Sequence, residues 1–159
     1  MVSNCQFTSG REYYVKEMQK HLDVDIYGHC GKDLVCGEFG ELRVDCVKEF
    51  ISKYKFYLAY ENSFCDNYYT EKLTKMIDVD TIPVVMGWVN FTSVLQPGTF
   101  IDVRDFPSVK ALTEYLNYLD QNDTAFNEII ERKRATKCVE SYPNRYFCRL
   151  CHYLHQNKD

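Results

Sequence analysis

Residues 55–73, KFYLAYENSFCDNYYTEKL, decide how the rest of the chain is read. Phe56 to Tyr60 is a short apolar, aromatic run of strand length. It stops at three polar residues, Glu61-Asn62-Ser63. A loop then leads into Tyr68-Tyr69-Thr70-Glu71-Lys72-Leu73, which reads as the opening of a helix reaching to about Asp78. In open α/β sheets ligands bind beyond the carboxyl ends of the strands, and helix N-termini favour phosphate. The stretch therefore points to an anionic ligand, a nucleotide, at a strand-to-helix crossing.

Working outward, Met1 to Cys5 reads as the tail of a strand, and Thr8 or Ser9 as the cap of a helix from Arg11 to about Leu22. Val24 to Tyr27 reads as a second short strand, ending in Gly28. Leu42 to Ser52 has helical spacing, with Val44, Val47 and Ile51 on one side. Beyond the central stretch, Ile82 to Met86 predicts a strand, Phe91 to Leu95 a helical turn, and Thr99 to Val103 another strand. Ser108 is a good cap for a helix whose apolar stripe is Leu112, Tyr115, Leu116 and Leu119. A further helix follows from Asp123 to Arg134, and Tyr146 to His155 reads as a terminal one. Strands alternating with helices mean βαβ units and a parallel sheet. The expected fold class is α/β, a single Rossmann-like domain over residues 1–159.

A chain of 159 residues is long enough for one real core. A net charge of −4 leaves no electrostatic footprint for nucleic acid, which is excluded as a partner. With 13 Tyr and 10 Phe against 7 Gly and 4 Pro, the chain is neither disordered nor of low complexity. Its 8 cysteines are even in number, and the sequons Asn90-Phe91-Thr92 and Asn122-Asp123-Thr124 make Asn90 and Asn122 candidates for glycosylation. Together these favour an oxidising, secretory compartment. No apolar run resembles a signal peptide or a membrane span, so a lumenal setting implies a segment ahead of Met1.

Cys148-Arg149-Leu150-Cys151-His152 spells the haem c attachment motif, and His155 adds a zinc-type ligand. No distal haem ligand or further metal ligands at suitable spacing accompany them. Disulfide, metal site and free thiol stay open on spacing alone, as does the pairing of Cys5, Cys30, Cys36, Cys46, Cys65 and Cys138.

FYLAYENS, YYTEKL, Pro83-Val84-Val85-Met86-Gly87 and TFIDVRDFPS follow one another in an order and at a spacing that resemble the α-1,3-fucosyltransferases, glycosyltransferase family 10. VSNC at the start, Arg11 to Tyr14, VDIYGHCG and Cys148-x-x-Cys151 extend the resemblance over essentially the whole chain. It implies the carboxyl-terminal, donor-binding half of a GT-B fold. Arg11, seven residues after Asn4 of the Ser3-Asn4 pair, is then expected to meet the donor's diphosphate with a planar fork of donors. Glu71 is expected on the ribose hydroxyls, Lys72 on phosphate, and Tyr68 beside them. Asn62 would bond a phosphate or sugar oxygen, with Ser3, Asn4, Glu61 and Ser63 as neighbours and Glu61 orienting the others. The resemblance also implies disulfides at Cys148 and Cys151. Asn67 stands where the family usually has Asp, and Asp80 where it usually has Gly.

The plainer alternatives are a solvated Arg11, an exposed Glu71 and Lys72 in a first helical turn, and polar strand-end residues that satisfy loop backbone. If the resemblance holds, the activity is inverting transfer of fucose from GDP-fucose to a glycan or glycoprotein acceptor, α-1,3 to N-acetylglucosamine. It requires no cofactor and no metal. The general base, the acceptor domain, the stem and a Golgi type II membrane anchor would lie outside these residues, and the isolated chain would transfer nothing. An inert GDP-sugar-binding remnant, a truncated gene product and an unrelated secreted disulfide protein are the competing readings. All of the donor reading requires Arg11 and Lys72 to reach the same end of the middle strand. Those two basic side chains on opposite sides of the sheet would break it.

Overall fold

A computed structural model describes residues 9–29, 31–33, 36, 41–74, 76 and 78–136, with residues 41–45 and 74 as backbone only. The elements are α1 (Arg11–Met18), α2 (Glu41–Ile51), β1 (Phe56–Tyr60), α3 (Glu71–Thr74), β2 (Ile82–Met86), β3 (Ile101–Asp102), α4 (Val109–Gln121) and α5 (Asp123–Ala135). Single 3-10 turns occupy Phe91–Ser93 and Val103–Asp105. The strands lie in the order β1-β2-β3 and are all parallel, with Phe56 opposite Ile82, Tyr60 opposite Met86 and Val84 opposite Ile101.

Every residue of β2 is buried, because helices cover both faces of the sheet as a parallel arrangement requires. Alternation along β1 sorts its side chains between the two layers. Leu58 and Tyr60 pack with Val15 and Met18 of α1 and with the α4–α5 pair. Tyr57 and Ala59 pack on the other side with Val47 and Ile51 of α2 and Leu73 of α3. The Tyr60 ring meets that of Tyr14 edge-on, centroids 5.8 Å apart, and its hydroxyl donates to the Met18 sulfur at 3.2 Å.

The helix behind the sheet starts where local chemistry says it should. Ser108 Oγ accepts the Ala111 N–H at 3.1 Å, and Leu112, Leu116 and Leu119 are essentially fully buried one and two turns on. Asn122 alone separates α4 from α5, and its Oδ1 caps α5 through Ala125 N at 3.0 Å. The far end of α5 clamps the turn that feeds β2. There Lys133 Nζ donates to the carbonyls of Val79 and Thr81, and Arg134 grips Asp80 through two nitrogens.

Five expectations change. The helix expected over Tyr68–Asp78 shrinks to Glu71–Thr74. Val24–Tyr27 yields only an isolated bridge between Tyr27 and Lys32, and the Arg11 helix stops at Met18. The helical turn at Phe91 and the strand near Thr99 are present but shorter than expected. The expected first strand at Met1–Cys5 and terminal helix at Tyr146–His155 lie outside the described residues. Among the described residues no helix is long and apolar enough to cross a membrane.

Candidate functional site at the carboxyl end of β1

Beyond Tyr60 the chain stays in register for one more residue, since Glu61 N donates to the Met86 carbonyl at 2.9 Å. Alternation sends the Glu61 side chain toward the α3 layer, where it is fully buried. Room for it depends on Gly87. A Cβ there would stand 3.4 Å from Glu61 Cγ and 3.3 Å from the Phe91 ring.

The buried carboxylate gathers the crossing around itself. It accepts Thr70 N at 2.9 Å, Thr70 Oγ1 at 2.9 Å and Lys72 Nζ at 3.0 Å. Lys72 Nζ also donates to Thr70 Oγ1 at 2.7 Å. An ion pair this enclosed holds only if its desolvation is matched by such hydrogen bonds, and the hydroxyl and amide of Thr70 supply them. An ammonium has three N–H donors. One of those of Lys72 remains for a ligand among the described residues.

Tyr68 closes the loop by a second route, its hydroxyl donating to Asn62 Oδ1 at 2.9 Å. Between these anchors Asn67 adopts a left-handed backbone (φ 58°), a region Asn and Asp visit more readily than bulky residues, and its N–H donates to the Trp88 carbonyl at 3.1 Å. That backbone bond joins the β1 loop to the β2 loop. Ser63 is half-buried, while Phe64 and Tyr69 stand exposed on the same rim.

Arg11 comes to the strand end from the other layer. It is 2% exposed, with Nη1 donating to the Tyr60 carbonyl at 3.0 Å and Nε to Glu12 Oε1 at 2.9 Å. The solvated reading of Arg11 is therefore wrong, and so is that of Lys72, whose side chain is 15% exposed. Glu71 is exposed at the start of α3. The two basic residues rise from helices on opposite faces, yet they anchor on consecutive residues, Tyr60 and Glu61, at one strand end. Tyr57 lies in the field of Glu71, Glu61 and Arg11. Burial pushes its hydroxyl well above the usual range, Glu71 and Glu61 push it further, and Arg11 opposes them.

The described part of the site thus brings together Arg11, Glu61, Asn62, Tyr68 and Lys72, with Glu71 at the rim. Ser3, Asn4, Cys148 and Cys151 lie outside the described residues. Cys36 and Cys46 form a disulfide, and Cys65 is a free, exposed thiol on the loop. No group of three His, Cys, Asp or Glu side chains among the described residues could hold a metal. Sequence reasoning missed Thr70 as the bridge and Gly87 as the space. A Thr just ahead of a short helix is a visible signal, but its turn back to Glu61 is not. A hollow of about 560 Å³ lies at the opposite end of β1, beside Leu22, Tyr54 and Phe56, and takes no part in the crossing.

The family described as glycosyltransferase family 10 (fucosyltransferase), C-terminal part, matches residues 1–159. The chain belongs to glycosyltransferase family 10. It is 42% identical over 139 residues to the α-(1,3)-fucosyltransferase fut-1 of Caenorhabditis elegans, covering 87% of this chain and 31% of that protein. It is 36% identical over 160 residues to the glycoprotein 3-α-L-fucosyltransferase A of Drosophila melanogaster, covering 99% and 31%. The chain thus spans about a third of the length of these curated relatives. A crystal structure of an α1,3-fucosyltransferase with GDP-fucose superposes with a TM-score of 0.67 at 23% identity, covering 87% of this chain and 39% of that one. That likeness places the family 10 chain in the GT-B fold. In this family 10 chain the ENS and TEKL blocks meet through Glu61, Thr70 and Lys72.

Proposed function

We propose that the protein to which this chain contributes is an inverting fucosyltransferase, and that residues 1–159 hold its donor, GDP-fucose. The observation that carries the reading is the convergence of Arg11 and Lys72 on consecutive residues at the end of β1. In the transfer an acceptor hydroxyl, α-1,3 on N-acetylglucosamine of a glycan, attacks the anomeric carbon of fucose. The bond to the diphosphate breaks on the opposite side, and GDP leaves with the electron pair. Charge builds on the departing phosphate, where fixed cations stabilise the transition state more than the ground state.

Arg11 and Lys72 supply those cations without reorganising, since each is already pinned by the protein. Glu71 takes the ribose hydroxyls, and Asn62 with Tyr68 shapes the loop wall beside the phosphates. Ser3, Asn4 and Ser63 complete the neighbourhood. None of these residues is suited to deprotonate the acceptor, so the base belongs to the acceptor domain. The isolated chain is thus a donor-binding half that transfers nothing, the whole protein acting in the Golgi lumen behind a type II anchor.

Isothermal titration of the chain with GDP and GDP-fucose tests the donor site. Binding is expected, and Lys72→Met is expected to weaken it about 10-fold to 100-fold, the loss of one charge-assisted bond of about 1.5–3 kcal/mol. No heat with either nucleotide, from a folded chain, would refute the donor reading. GDP binding that is not matched by any transfer in the full-length protein would instead identify an inert remnant.

A further inference from the structure

The two sequons of this chain are equivalent on paper and different in the fold. We infer that Asn90 carries an N-linked glycan and that Asn122 does not. Asn90 is exposed between β2 and β3, and its Oδ1 accepts both Thr92 N at 3.2 Å and Thr92 Oγ1 at 2.7 Å. The turn therefore closes locally, within residues 90 to 93, where Ser93 N and Oγ also donate to the Asn90 carbonyl, so a nascent chain can form it before the sheet exists. Its geometry aims two donors at the amide oxygen, which draws electron density from the nitrogen and makes its N–H more acidic. Nδ2 has no partner among the described residues.

Asn122 is arranged the other way. It is half-buried, its Oδ1 caps α5 through Ala125 N at 3.0 Å, and its Nδ2 donates to the Tyr118 hydroxyl at 3.1 Å. Helix flanks it directly on both sides, with α4 ending at Gln121 and α5 starting at Asp123. Thr124 lies in the first turn of α5 and makes no bond to the Asn122 amide. To present Asn122-Asp123-Thr124 in an open turn, the chain would have to undo a helix cap worth about 1 kcal/mol along with the first turn of α5.

A compartment that supports the reaction is indicated independently. Cys36 and Cys46 are joined in a disulfide, a bond that persists in the oxidising secretory pathway. The co-reactant is a lipid-diphosphate-linked oligosaccharide. Asn90 Nδ2 bonds to the anomeric carbon of its first sugar, the carbon–oxygen bond to phosphate breaks, and the lipid diphosphate leaves with that electron pair. The amide proton passes to a base of the transferring enzyme. The attached glycan emerges at the lip of a hollow of about 420 Å³ lined by Asp66, Asn67, Trp88 and Arg104, on the β2–β3 side of the crossing. There the 59% exposed Trp88 gives the first sugar an apolar surface.

The chain, sent through the secretory pathway of cultured mammalian cells by a cleavable signal, is treated with peptide N-glycosidase in heavy-oxygen water and mapped by mass spectrometry. Labelled aspartate is expected at 90 and unlabelled asparagine at 122. Thr92→Ala should abolish the label, and Thr124→Ala should leave it unchanged. Label at 122, or none at 90, overturns the inference. Should the chain be retained in the cell, translation with microsomes reads the same question as a single mobility shift, lost with Thr92→Ala. No shift, or a double one, overturns it equally. Neither outcome bears on the donor site, so the two readings fail separately.

Discussion

Replacing Lys72 by Met leaves the Glu61 carboxylate fully buried beside a neutral side chain of similar length. In the native site the two charges are 3.0 Å apart, with Glu61 at 0% and Lys72 at 15% side-chain exposure. At an effective dielectric of about 20 their gross attraction is about 5 kcal/mol, most of it offset by desolvation. The net loss on removing one partner is then about 3–5 kcal/mol, because Thr70 N and Oγ1 cannot by themselves replace a counter-charge. Glu61→Gln removes the charge but leaves an oxygen for the Thr70 amide, and the Lys72 ammonium has a route to water, so about 1–3 kcal/mol is expected. In Glu61→Gln/Lys72→Met no charge is stranded, and the double variant should be more stable than Lys72→Met. The assay is urea unfolding of the four proteins by circular dichroism at pH 7. Costs that add across the cycle to within about 0.5 kcal/mol would refute the reasoning, since coupled neighbours deviate by more. So would a Lys72→Met variant as stable as the native chain.

Lys133 sets an alkaline signature. Its ammonium is drawn into the turn of Val79 and Thr81, and burial lowers its pKa from the usual 10.5 to about 8, against the weaker opposing pull of Asp80 and Asp78. Between those values the unfolded chain binds more protons than the folded one, so this contribution to stability rises with pH from about 8 to 10.5 and is lost as pH falls back through 8. Unfolding curves across that window should show the native chain gaining on Lys133→Met; parallel curves would count against a depressed Lys133. Gly87→Ala tests the space around Glu61. Its Cβ would press on Glu61 Cγ and the Phe91 ring, so a loss of about 1–3 kcal/mol is expected by urea unfolding, with weaker GDP binding. An alanine variant as stable as the native chain would show that the crossing has slack.

What the sequence determined by itself is local. β1 and β2 fall on Phe56–Tyr60 and Ile82–Met86 as read, because short apolar runs bounded by polar residues have few other ways to be buried. The Ser108 cap and the leucine stripe placed α4, since both depend on neighbours three or four residues away. The family motifs named Arg11, Glu71 and Lys72 through resemblance, not through periodicity. What only the tertiary structure decided is how those residues are held. α3 is short because the residues before it are drawn elsewhere, Tyr68 to Asn62 and Thr70 to Glu61, in bonds that span the whole loop. Arg11 reaches Tyr60 across 49 residues of sequence, a meeting that exists only once the sheet and its two helical layers have closed. The same division holds for the sequons: the motif is a string of three residues, while the hydrogen-bond partners of Asn90 and Asn122 differ with the elements around them.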